Sequence, residues 1–139
     1  MNIKIILYLM SMKVIIFDLD ETLVTVNAKG LVVPRQTYHK LNRFLSLGYK
    51  MSIITYNPMP YVALNGTSLL NYIDYVAYGD KNRNELFEEV LCAYKDCDDV
   101  YYVDDRIDNI EVIKKHFPNV KTYHCTNVYK LYECLNKIS

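Results

Sequence analysis

Tryptophan is absent from this chain, and glycine occurs only 4 times in 139 residues. With no internal repeat, linker or low-complexity stretch either, fibrous and disordered classes are excluded. Charge of one sign is not in excess. Sixteen Lys and Arg balance sixteen Asp and Glu, which removes any whole-molecule electrostatic reason to bind nucleic acid or an anionic membrane. The four cysteines, Cys92, Cys97, Cys125 and Cys134, contain no Cys-x2-Cys pair, and nearby histidines complete no zinc pattern. They read as buried thiols in a reducing compartment. Long apolar runs are missing too. The stretch over residues 5–10 is far short of a membrane span and too short for a secretory core, with no small-residue cleavage site after it. These absences leave an intracellular, cytoplasmic, soluble protein of one domain. Residues 1–12 are expected to be an extension or an extra edge strand, and residues 13–139 the domain.

What is present alternates. Residues 13–17 (KVIIF) form a continuous β-branched run of the kind buried on both faces of a sheet. Residues 24–33 predict a small hairpin or flap, and residues 34–47 a helix with Pro34 in its first turn and Gly48 after its end. Residues 50–56 read as a second strand, 60–72 as short helical turns, and 75–78 as a third strand. Residues 82–94 carry Leu86, Phe87, Val90, Leu91 and Tyr94 on one helical stripe. A fourth strand over 100–103, a helix over 108–116, a fifth strand over 120–123 and a helix over 128–138 complete the chain. Strands alternating with helices predict an α/β fold: a three-layer, doubly wound, open parallel sheet of about five strands. Ligands in such sheets bind past the carboxyl ends of the strands.

Those ends carry polar groups of one kind. Asp18, Asp20 and Thr22 follow the first strand, Thr55 ends the second, and Asp104 and Asp105 follow the fourth. Two carboxylates flanking Leu19 can divide a reaction between them. One attacks phosphorus and forms an aspartyl-phosphate, and the other moves protons to the leaving group and from water. Carboxylates facing a phosphate dianion require a hard cation with oxygen ligands, and Mg²⁺ meets that need. Asp105 is the expected third ligand, with Asp104 outside it. Lys81 and Thr55 are candidates to bind phosphate oxygens, and Thr22 is placed with them.

VIIFDLDETLV resembles the first signature of the haloacid dehalogenase superfamily. SIITYN looks like its second, Lys81 takes the place of its third, and VYYVDDRIDN resembles the fourth in its paired-Asp form. The resemblance implies a phosphatase with Asp18 as nucleophile and Asp20 as general acid/base. It implies magnesium held by the Asp18 carboxylate, the Asp20 backbone carbonyl and Asp105. Lys95 is the other candidate for the third signature, and Asp108 and Asn109 both compete for the outer shell of the fourth. Segments 20–55 and 55–81 are too short for a cap domain, so a capless enzyme is expected, similar to magnesium-dependent phosphatases and RNA polymerase II C-terminal-domain phosphatases. An open cleft suits a macromolecular substrate, a phosphoprotein or a phosphorylated nucleic-acid end. The alternatives are a small-metabolite phosphatase and a weakly catalytic binding or regulatory domain, and an oligomer is compatible with either. No membrane partner is expected.

Overall fold

The computed structural model describes residues 2, 3 and 12–138. Its centre is strand β1 (Met12–Asp18), whose apolar run is buried along its length. The hairpin strands β2 (Thr25–Asn27) and β3 (Gly30–Val32) follow, then α1 (Arg35–Ser46), β4 (Lys50–Thr55), α2 (Pro60–Asn65) and β5 (Tyr75–Tyr78). Helix α3 (Arg83–Ala93), β6 (Cys97–Asp104), α4 (Ile107–His116), β7 (Lys121–His124) and α5 (Leu131–Leu135) complete the order. The five long-range strands form one parallel sheet in the order β5-β4-β1-β6-β7. The alternating pattern gives the expected α/β architecture with β1 in the middle.

Alternation along β1 feeds two cores. Ile15 and Phe17 point into a cluster with Leu41 and Phe44 of α1, Leu64 of α2, and Leu131 and Leu135 of α5. Val14 and Ile16 enter the opposite cluster with Leu86, Phe87 and Val90 of α3 and Ile110 and Ile113 of α4. All four β1 side chains are fully buried; each contributes about 1.5–3 kcal/mol of apolar transfer. A strand buried on both faces cannot turn polar until it leaves the sheet. The first polar side chain after this run, Asp18, therefore sits where the layers open.

Two elements differ from the sequence expectation. Strand β6 begins at Cys97 rather than Val100, because Met12 and Lys13 of β1 extend the ladder to Cys97 and Asp99 across a register irregularity. The Asp98 carboxylate accepts from Met12 N at 3.1 Å. The last helix is split. The Asn127 side chain accepts from the backbone N–H groups of Tyr129 and Lys130, capping a 3-10 turn over Val128–Lys130 before α5 begins. The expected extension or edge strand over residues 1–12 lies largely outside the described residues, with Met12 already in β1. Among the described residues no helix is long and apolar enough to cross a membrane.

The predicted flap is the β2–β3 hairpin, paired Thr25 to Val32 and Asn27 to Gly30. Gly30 adopts a φ of 110°, which only glycine takes at little cost. Leu31 presses on the end of α2, where a Cβ on Gly66 would lie 2.6 Å from the Leu31 Cδ1 atom.

Candidate active site

Parallel pairing sets the positions of the acidic groups. Phe17 pairs with Ile53 on one side and with Val103 on the other. Asp18, Ile54 and Asp104 are the next residues, so the ends of β1, β4 and β6 converge. After Asp18 the chain folds back on itself: the Leu19 carbonyl accepts from the N–H groups of Thr22, Leu23 and Val24 at 3.0–3.3 Å. Glu21 takes a φ of 65°, a left-handed conformation that costs a non-glycine residue about 1–3 kcal/mol. The turn leaves Asp20 exposed at the rim and sends Thr22 inward, where it is fully buried.

Asp18, Asp104 and Asp105 each bring a carboxylate oxygen within 4.8 Å of the others. Thr22 Oγ1 lies 3.3 Å from Asp18 Oδ2 and 3.0 Å from Asp105 Oδ1, and accepts from Asp105 N at 3.0 Å. Its one hydrogen is shared between two carboxylates. Asp104 is held more firmly. Its Oδ2 accepts from the Tyr102 hydroxyl and from Asn109 Nδ2 at 3.1 Å, and its Oδ1 from Arg106 N at 2.9 Å. Just past β7, Cys125 N donates to the Asp104 carbonyl at 2.9 Å, and His124 Nε2, at the end of β7, lies 2.9 Å from the Asp105 carbonyl.

One buried cation faces this cluster among the described residues. Arg83, 4% exposed, pairs with Asp18 at 3.4 Å and lies 3.9 Å from Asp104. Its Nη1 donates to the Ile54 carbonyl at 3.1 Å, and the Tyr56 ring covers it with a centroid 4.3 Å away. Its Nε has no hydrogen-bond partner. One guanidinium does not balance the carboxylates. Asp18 is pushed up to about 8, first by burial and then by the charge of Asp104, with Arg83 pulling the other way. Burial raises Asp104 as well, against the hydrogen bonds it accepts. Arg83 stays above its ordinary value because Tyr102, Asp18 and Asp104 outweigh its burial. A compact set of hard oxygen donors with unbalanced negative charge fits a hard divalent cation.

Asp18 and Asp105 form the floor of an open cleft of about 270 Å³, lined also by Asp20, Thr55, Asn57 and Arg83, with Asp104 fully buried behind them. Asn57 orients the rim. Its Oδ1 accepts from Met59 N at 2.8 Å, which turns Nδ2 toward Asp20 Oδ2 at 3.3 Å. A larger cavity of about 500 Å³ lies at the other end of β6, but Asp98 is the only carboxylate that lines it.

The structure thus brings Asp18, Asp20, Thr55 and Asp105 to one cleft. Thr55 is buried and its Oγ1 accepts from Asn57 N at 3.0 Å. Other expected residues stand elsewhere. Thr22, expected at phosphate, is committed to Asp18 and Asp105 beneath the floor. Lys81 is turned outward, half exposed and paired with Glu89 at 3.1 Å; Arg83, not Lys81, lines the cleft. Lys95 lines the distant cavity instead. Asp104, expected in the outer shell, is fully buried beside Asp18 and Asp105, with its two carboxylate oxygens accepting from Tyr102, Asn109 and Arg106. Asp108 is exposed and pairs with Arg106 at 3.0 Å, which leaves Asn109 as the residue behind Asp104.

Sequence reasoning missed Arg83, Tyr102 and Asn57. Arg83 left a signal. It lies three residues before Leu86 and four before Phe87, on the buried stripe of α3, and an arginine on a buried stripe requires an anionic partner.

No protein-family model matches the sequence, and no curated protein gives a significant match. Solved structures do. The heptose 1,7-bisphosphate phosphatase of B. bronchiseptica, complexed with magnesium and phosphate, superposes with a TM-score of 0.63 at 10% identity, covering 92% of this chain and 100% of that one. The fold is that of this phosphatase. A Vibrio cholerae structure assigned to 3-deoxy-D-manno-octulosonate 8-phosphate phosphatase gives a TM-score of 0.57 at 14% identity, over 98% of this chain and 92% of that one. A YrbI-family phosphatase assignment from Pseudomonas syringae pv. phaseolica 1448a gives 0.59 at 15% identity, over 96% and 78%.

Proposed function

We propose that this chain is a magnesium-dependent phosphomonoester hydrolase of the haloacid dehalogenase type, capless, working through an aspartyl-phosphate on Asp18. The observation that carries the reading is the placement of Asp18 between Arg83 and the Asp105 carboxylate, with Asp20 at the rim of the same cleft. The carboxylates of Asp18, Asp104 and Asp105 are the side chains that would hold Mg²⁺. When bound, the ion offsets the charge of the carboxylates and of the substrate's phosphoryl oxygens.

The chain's own residues do the rest. Asp18 attacks phosphorus, and the bond to the leaving oxygen breaks as Asp20 gives that oxygen a proton. Asp20, now ionised, takes a proton from the water that cleaves the aspartyl-phosphate. Asn57 keeps the Asp20 carboxylate aimed into the cleft. Arg83 supplies fixed positive charge beside the attacked phosphoryl group, and the Thr55 hydroxyl offers a further contact. Thr22 positions both Asp18 and Asp105, so its role is exercised through them.

The missing cap led to the expectation of a macromolecular substrate. The comparisons favour the alternative, a small phosphorylated metabolite. A heptose bisphosphate phosphatase whose whole chain is matched by 92% of this one handles a small sugar phosphate, so this layout does not require a large substrate. The proposed substrate class is a phosphorylated sugar or sugar acid. The test is phosphate release from an aryl phosphate, sugar phosphates, phosphopeptides and 3′-phosphorylated oligonucleotides, each with Mg²⁺ and with EDTA. Magnesium-dependent turnover, highest on a sugar phosphate, is the expected outcome. No turnover of any member would instead favour a binding or regulatory domain.

A further inference from the structure

One wall of the cleft is aromatic and takes no part in the attack on phosphorus. Tyr56 follows Thr55 at the end of β4 and lines the cleft with Asp18, Asp20 and Arg83. One face of its ring is covered by the Arg83 guanidinium, 4.3 Å from the ring centroid. Arg83 is buried, yet Tyr56 is 48% exposed. The exposure therefore belongs to the other face and the edge of the ring. Covering Arg83 does not account for a bare aromatic face at a catalytic cleft. Nor does the ring stand alone. Tyr78 pairs with Thr55 in the β4–β5 ladder, Tyr61 of α2 meets the Tyr78 ring edge-on at 6.2 Å, and Met59 and Val62 are exposed beside Tyr61 in the chain. Exposed apolar groups gathered beside a polar pocket mark a side that receives ligand.

The ring is held in place. Thr55 is fixed in the sheet, and its Oγ1 accepts from Asn57 N at 3.0 Å, closing a turn around Tyr56. Asn57 is tied in turn to Met59 N and to Asp20. A surface already ordered loses little entropy on binding. Its position selects what it can touch. Arg83 contacts both the Tyr56 ring and Asp18, the latter at 3.4 Å, so the ring stands one guanidinium's width from Asp18. A leaving group reaches it only close to its own phosphate. The C–H bonds on one face of a closed sugar ring are weakly positive and meet the negative face of an aromatic ring. An open polyol chain offers no such flat face. A cationic leaving group is disfavoured, since the Arg83 charge already occupies the opposite face. A nucleobase would stand a whole sugar further from phosphorus.

We propose that Tyr56 is the specificity residue of the cleft, stacking its exposed face on the C–H face of a closed sugar ring that carries the phosphate directly or through one carbon. The proposal rests on the phosphatase reading above and narrows its substrate class to cyclic sugar or sugar-acid phosphates. Contact with the leaving group away from phosphorus raises kcat/KM for ring substrates.

The test uses the full chain with Mg²⁺ and pairs of phosphates that differ in ring closure. These are glucose 6-phosphate against glucitol 6-phosphate and mannose 6-phosphate against mannitol 6-phosphate, with acetyl phosphate as a ring-free reference. The ratio of kcat/KM within a pair cancels any general effect of a substitution on Arg83. The wild type is expected to prefer the ring by about 3- to 10-fold. Tyr56→Phe should keep that ratio. Tyr56→Leu, which still covers Arg83, should bring it near one, with Tyr56→Gln in its place if that variant does not fold. A ratio near one in the wild type, or one unchanged by Tyr56→Leu, overturns the proposal, while turnover of acetyl phosphate leaves the phosphatase reading standing. A Tyr56-dependent preference for AMP over ribose 5-phosphate overturns it as well, by assigning the face to a base. No turnover of any member, acetyl phosphate included, removes the phosphatase reading and the stacking role with it.

Discussion

Arg83 shows how much one side chain can carry. It is buried against two carboxylates, and removing one partner of a buried ion pair typically costs about 3–5 kcal/mol because the other charge is left unpaired. Arg83→Met is expected to lower the unfolding midpoint in urea and to abolish phosphate release, whereas Lys81→Ala, at an exposed pair, should leave both near wild type. Equal losses in the two variants would restore Lys81 to the cleft. The two aspartates at the reaction centre separate by role. Asp18→Asn removes the nucleophile at constant volume and should leave a folded protein with no turnover. Asp20→Asn should retain some, reduced by about 10²–10⁴-fold for lost acid–base help. Steady-state kinetics on an aryl phosphate distinguishes the pair, and near-normal activity in Asp18→Asn would end the covalent mechanism. At this scale the sequence was only partly legible. Asp18, Asp20 and Asp105 follow strand ends, where spacing reveals them. Arg83 was hidden because Lys81, two residues earlier, had the same charge, and the choice between them depends on which way the first turn of α3 faces.

Elements were more legible where burial is two-sided. β1 and β4 fall within a residue of the runs that define them, since a strand packed on both faces shows as a nearly continuous apolar run. Boundaries set by side-chain capping or by a partner's register were not legible. Asn127 starts a 3-10 turn through its own carboxamide, ahead of α5, and the early start of β6 depends on Met12 and Lys13. The β2–β3 hairpin is the element most open to experiment. It is short, largely exposed and fixed through Leu31 against Gly66. A hairpin shortened by removing residues 27–30 is expected to keep the unfolding temperature within a few degrees. Its effect on turnover reads out substrate contact. A loss of kcat/KM on the best sugar phosphate with an unchanged rate on an aryl phosphate would place the hairpin over the part of the substrate away from phosphorus. Equal rates on both would remove it from the site.

The acidic cluster also governs the molecule as a whole. The Asp18 carboxyl has an ordinary value of 3.8 and is raised to about 8 by folding, chiefly through burial. The folded state therefore binds a proton that the unfolded state has released, and stability from this group is greatest below 3.8 and lost as pH rises toward about 8. In EDTA, the melting temperature should accordingly carry a component that falls with rising pH across that window. Magnesium should flatten or reverse that component, since a divalent cation replaces the proton, and its stabilising effect should be larger at the alkaline end. A magnesium shift independent of pH, measured by thermal unfolding, would separate the ion from Asp18.

The position of β1 also sets an order in time. Its residues leave the ribosome before those of β4 and well before those of β6, yet Ile15 must pair with both Met51 and Tyr101. Until residue 104 has emerged, one side of the most apolar strand in the sheet has no neighbour, and an unpaired apolar edge invites pairing with another chain. In the finished sheet the outer strands are β5 and β7, four residues each, and that hazard is gone. Nascent chains arrested before β6 should therefore aggregate or recruit chaperones, while those arrested after β7 should not. Long-distance pairing of this kind is slow to form, so the interval of exposure is set by the speed of translation as much as by the stability of the product.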